Sequence, residues 1–149
     1  MKYYFYFFLL LILSSCGTTG HLQFYNFNVS KYTVDKELMN IISKNSIYAL
    51  PPKWITADSG DYFETRYVYF SNNPEEIYRI RFVGDSNDWN NSSVCTLGII
   101  GEFDGNTWRN ESALSNKEVE RITKRFEEEI LSKIKYSYVK SDNSTITDY

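Results

Sequence analysis

Histidine and cysteine are almost missing from this chain, and their scarcity excludes several kinds of chemistry. The 149 residues hold one histidine and two cysteines. A serine or cysteine triad would have to use His21, which lies five residues from Cys16 beside a Gly/Thr stretch where rigid geometry is hard to hold. A zinc site needs several His or Cys ligands, so no metal is expected. Glycine-rich phosphate loops are absent as well. Asp85-Ser86-Asn87-Asp88-Trp89-Asn90 starts like a calcium loop, but Trp89 stands where a third ligand belongs and no glycine occupies the sharp-turn position. Positive charge is not in excess either: 16 Lys and Arg face 19 Asp and Glu, a formal −3, which gives no electrostatic case for nucleic acid. Neither catalytic residues nor a cofactor are expected, and the sequence reads as a protein without enzymatic activity.

What is present begins with Met1, Lys2 and an apolar run from Tyr3 to Leu13, followed by Ser14, Ser15 and Cys16. Eleven apolar residues rise only about 16 Å as a helix, roughly half a hydrocarbon core, which marks a cleaved signal rather than a membrane span. Leu13-Ser14-Ser15-Cys16 resembles the lipobox of bacterial lipoproteins. The resemblance implies that residues 1–15 are removed and that Cys16 is acylated as the new first residue. Residues 16–20 then form a lipidated tether, and the protein is anchored to a membrane in the cell envelope. By the family's sorting rule, Gly17 and Thr18 in place of an Asp favour the outer membrane over the inner, on its periplasmic side. From Cys16 to Gly20 the chain spans at most roughly 14 Å, so the folded body should ride near the bilayer.

Removing residues 1–15 leaves 134 residues with 15 basic and 19 acidic side chains, the size of a single domain. With Cys16 acylated, Cys95 has no disulfide partner, and Val94-Cys95-Thr96-Leu97-Gly98-Ile99-Ile100 places it in a buried strand. Residues 21–28 read as a first strand. Thr33 is expected to cap a helix whose apolar stripe is Val34, Leu38, Ile41 and Ile42, with Asn45 as its left-handed terminator. Pro51 to Asp61 reads as a loop. Tyr62–Phe70 and Ile77–Val83 alternate as strands of an antiparallel hairpin across the turn Ser71-Asn72-Asn73-Pro74, with Arg79 and Arg81 opposite Tyr78, Ile80 and Phe82. Residues 84–93 read as a loop, Val94–Phe103 as a central strand and Asp104-Gly105-Asn106 as a turn. Ser115 and Glu118 form a capping box, stapled by Leu114 and Val119, for a helix with the stripe Val119, Ile122, Phe126, Ile130 and Ile134.

The order β-α-β-β-β-α predicts one α+β domain over residues 21–140, a two-layer sandwich with an antiparallel sheet of about four strands and two helices on one face, before a polar tail at 141–149. Asp58, Asp61 and Glu64, like Asp85 and Asp88, are expected to be solvated surface rather than a hydrolase pair. Trp54, Trp89 and Trp108 all fall between regular elements, where a ring either anchors an interface, stacks on a sugar or covers the core edge. Arg79 and Arg81 share a sheet face suited to an acidic partner. The expected function is protein binding by an envelope lipoprotein, as accessory subunit or as inhibitor or immunity factor. The alternative is a carbohydrate- or small-ligand-binding lipoprotein, which would show two exposed tryptophans along one concave rim.

Overall fold

The structure is a computed structural model and describes residues 20–54 and 65–141. Cys16, most of the tether, the positions 55–64 that include Asp58, Asp61 and Glu64, and the tail after Ser141 lie outside them. The elements are β1 (Gln23–Phe27), α1 (Lys31–Lys44), β2 (Arg66–Phe70), β3 (Glu76–Phe82), α2 (Ser86–Asn91), β4 (Cys95–Phe103), β5 (Trp108–Arg109), α3 (Asn116–Glu129) and β6 (Tyr138–Ser141). Short 3-10 turns cover Pro52–Trp54, Glu111–Ala113 and Leu131–Lys133.

The fold is α+β, and its sheet is antiparallel throughout, in the order β2-β3-β4-β1-β6. The hairpin of β2 and β3 forms as the alternation requires, and β4 is central, between β3 and β1. The sheet has six strands rather than about four. Both additions escape a periodicity argument: β5 is only two residues long, and β6, an edge strand with Val139 68% exposed, turns a single ring, Tyr138, to the core.

Val34, Leu38 and Ile42 of α1, with Ile122 and Phe126 of α3, pack into one cluster with Tyr25, Phe27, Tyr78, Ile80 and Leu97. Both long helices therefore cover the same sheet face. The predicted capping box opens α3: Ser115 Oγ accepts from Glu118 N at 3.4 Å, and Glu118 Oε2 accepts from Ser115 N at 2.9 Å. Helix α1 differs from expectation at both ends. Ser30, not Thr33, is its N-cap, and Asn45 is extended (φ −126°) rather than left-handed. Serine is itself a preferred cap residue, and starting the helix at Lys31 buries that side chain to 2% exposure with Nζ 4.6 Å from the Trp89 ring centre. Residues 84–93, read as a loop, contain α2: Asp85 Oδ1 accepts from Asn87 N and Asp88 N, while Asp88 Oδ2 accepts from Asp85 N, so the acidic spacing there is a capping box. Gly84, at φ +99°, makes the turn into it.

One irregularity decides what faces where. Arg79 pairs with Gly101 but Ile80 pairs with Ile99, so Ile100 is an extra residue in β4. Before it Cys95, Leu97 and Ile99 point at the helices; after it Glu102 does, and Gly101 and Phe103 turn to the opposite face.

Candidate functional site

The face of the sheet away from the helices gathers rings around one cation. Strand alternation places Ile77, Arg79 and Arg81 of β3 there, and the bulge delivers Phe103 of β4. Phe103 pairs with Trp108, and Glu102 with Arg109, so the two residues of β5 divide between the faces, Trp108 outward and Arg109 toward the helices. The Trp54 ring lies 5.2 Å from Phe103, Phe103 lies 5.4 Å from Trp108, and Trp108 lies 5.9 Å from Tyr67. The Arg79 guanidinium stacks 4.3 Å from the Trp108 ring centre. Gly101, opposite Arg79, carries no side chain where a Cβ would stand 3.9 Å from the Trp108 ring.

Two polar groups on this strip are donors without an acceptor. Arg79 Nε and Trp54 Nε1 are buried without a hydrogen bond among the described residues. The nearby carboxylate is already committed: Glu75 accepts from Tyr69 Oη at 2.6 Å and from Lys53 Nζ at 2.9 Å, and these bonds hold its pKa below the usual carboxylate value.

Of the residues singled out from sequence, Trp54, Trp108 and Arg79 thus come together, and Arg81 stands two positions along the same face, opposite Gly98. Trp89 does not join them. Its Nε1 donates to the Val83 carbonyl at 2.8 Å and its ring covers Lys31 at the rim of the helix layer, a core-sealing role. His21 stacks on Phe24 at 3.9 Å, Asp104 Oδ1 accepts from Asn106 N and Thr107 N in its turn, and Cys95 is a buried free thiol pushed by burial up to about 11.

Sequence reasoning missed a second cluster, on the helix side. Glu76 and Glu102 are buried to 2% and 0% exposure. Glu76 receives both terminal nitrogens of Arg121, Nη1 of Arg125 at 3.0 Å and Tyr78 Oη at 2.9 Å. Glu102 receives Arg109 Nε at 2.9 Å and Nη2 at 3.1 Å, and Arg109 Nη1 continues to Glu118 at 2.9 Å. Burial raises the Glu102 pKa; Arg109 opposes this, the adjacent Glu76 adds to it, and the result is upward. Burial also acts upward on Glu76, but hydrogen bonds from Arg121 and Tyr78 and the charges of Arg121 and Arg125 outweigh it and hold it down. A signal existed: Glu76 has the same strand phase as Tyr78, Ile80 and Phe82, and arginines at 121 and 125 flank the stripe residues Ile122 and Phe126 at helical spacing. So enclosed a carboxylate pair joins α3 to the sheet.

A groove of ≈ 610 Å³ runs between α3 and the β1/β6 side, with Leu114 and Val119 on its wall. Its Glu127 is already occupied by Lys140 and Tyr25. Among the described residues no group of three or more His, Cys, Asp or Glu could hold a metal ion, and no helix is long and apolar enough to cross a membrane. No family model, curated protein or solved structure matches the chain.

Proposed function

We propose that this protein is a lipid-anchored envelope protein that binds another protein through the face of its sheet away from the helices. The observation that carries the reading is the strip of Trp54, Phe103, Trp108 and Tyr67 with Arg79 stacked on Trp108. Trp, Tyr and Arg are the side chains that dominate binding energy at protein interfaces. A sugar-binding rim receives less support, because of the three tryptophans Trp108 alone is exposed, at 39%, and Trp89 is spent on the other layer. Anchoring through Cys16 keeps the face near its membrane: Gly20 packs against Glu111, three positions from Trp108, and Gly20 lies four positions after Cys16. Accessory subunit and inhibitor or immunity factor are both roles of this kind.

The test is affinity purification of the detergent-solubilised protein from its native host, with mass spectrometry, beside the Trp108→Ala variant. A reproducible protein partner lost in the variant is expected. Recovery of no partner, or of one indifferent to Trp108→Ala, overturns the reading. Intact mass of the same material checks the anchor, and an unmodified Cys16 or another first residue removes it.

A further inference from the structure

We infer that the partner meets this face with an acidic segment, seating an Asp or Glu carboxylate on Arg79 while an adjoining apolar side chain covers Trp108. The inference rests on the protein-binding reading above and adds the chemistry of what is bound. Arg66, Arg109, Arg121 and Arg125 each face a carboxylate of this chain. Arg79 faces only a ring, and among the described residues it has neither a hydrogen-bond acceptor nor an ion-pair partner. A guanidinium remains charged at any physiological pH, and indole stacking balances part of that charge while satisfying none of its N–H donors.

Stacking also fixes the guanidinium plane, so its fork is presented already oriented. A planar carboxylate is the complement of that fork, and a side chain held in place loses little entropy on pairing. The surroundings sharpen the demand. Trp54 Nε1 is a second donor without a hydrogen bond, and Glu75 is engaged by Lys53 and Tyr69 and is not free to swing across. Covering this face with a neutral or basic surface would leave Arg79 desolvated and unpaired, a cost that selects against such partners. Trp108 and Phe103 beside it ask for apolar cover, so the acidic residue is expected next to an aromatic or aliphatic one.

Random dodecapeptides displayed on phage and panned against the full chain supply the probe without knowledge of the partner. Recovered sequences are expected to carry Asp or Glu beside an apolar residue. As synthetic peptides they should bind about tenfold or more weakly after conversion of Asp and Glu to Asn and Gln, and equally so to Arg79→Gln, with Arg79→Lys between. Thermal unfolding of each variant confirms that the fold survives. Peptides that depend on Trp108 but bind Arg79→Gln or the amide forms unchanged overturn the carboxylate and leave the protein-binding reading standing. Failure to recover any peptide sensitive to Trp108→Ala overturns both.

Discussion

Replacing Glu76 and Glu102 one at a time by Gln should give unequal results, although the two carboxylates are buried side by side in one network. Glu76 accepts from Arg121, Arg125 and Tyr78, and its lowered pKa marks a site that favours the charged form. Neutralising it leaves Arg125, whose side chain is 11% exposed, with Glu129 as its remaining carboxylate. Breaking a buried pair from one side costs about 3–5 kcal/mol; because Arg121 is 38% exposed and can turn to water, the lower end, about 3 kcal/mol, is expected. Glu102 is the opposite case. Its raised pKa marks a site that resists the charge, and Arg109 keeps Glu118 and Asp104 when Glu102 is neutral, so Glu102→Gln should cost under about 1 kcal/mol. In urea, at a slope of about 1.5 kcal/mol per M, Glu76→Gln lowers the midpoint by about 2 M and Glu102→Gln by less than about 0.7 M.

The pH dependence carries opposite signs at the two sites. A carboxyl whose folded pKa is raised is a liability at neutral pH, and the liability is relieved as pH falls through that raised value toward the ordinary Glu pKa. A carboxyl whose folded pKa is lowered stabilises above the ordinary pKa, and that contribution disappears as pH falls through its lowered value. Stability of the parent protein should therefore hold or rise on mild acidification and drop below the ordinary Glu range. Glu102→Gln should remove the mild-acid gain and keep the later drop. Denaturation midpoints across this pH range decide the matter, and a Glu102→Gln variant less stable at neutral pH than Glu76→Gln refutes the assignment.

Gly98→Ala should destabilise by about 1–3 kcal/mol, because its Cβ would stand 2.6 Å from Cε1 of Phe24; Phe24→Leu in the same chain should recover part of the loss in a double-mutant cycle, and strict additivity would contradict the contact. Ser115→Ala should cost about 1 kcal/mol through the N-cap of α3, read as a lower thermal midpoint, and an unchanged midpoint would remove the capping box from the account. Cys95, buried and with its thiol pushed up to about 11, should react with iodoacetamide at pH 8 only after denaturation; rapid labelling of the native protein would show that strand β4 opens readily.

Legibility of the sequence followed the scale on which each feature is encoded. Helix α3 was readable because Ser115, Glu118 and the stripe Ile122 and Phe126 lie within a few turns of one another. The β2/β3 hairpin was readable because its alternation is local. Strand β5 was not, since its two residues owe their conformation to Glu102 and Phe103 across the ladder. On the sheet face away from the helices, Trp54, Trp108 and Arg79 were each conspicuous, but their meeting depends on pairings between distant segments. The buried pair of glutamates was hidden for a further reason: Glu102 occupies the phase that uninterrupted alternation in β4 would turn away from the helices, and only the extra residue brings it inward.

Ile100 works as a half-step in an otherwise regular ribbon, handing each position beyond it to the other side. That single shift seats a carboxylate under α3 and sets an aromatic ring beside Trp108, so the internal clamp and the outer strip share one origin. Taking Ile100 into regular pairing would swap Glu102 with Phe103 and dismantle the two together, whereas deleting it would close the bulge and keep Gly101 opposite Arg79, Glu102 inward and Phe103 outward. The two faces of the far end of β4 therefore depend on position 100 staying outside the ladder, not on which side chain it carries.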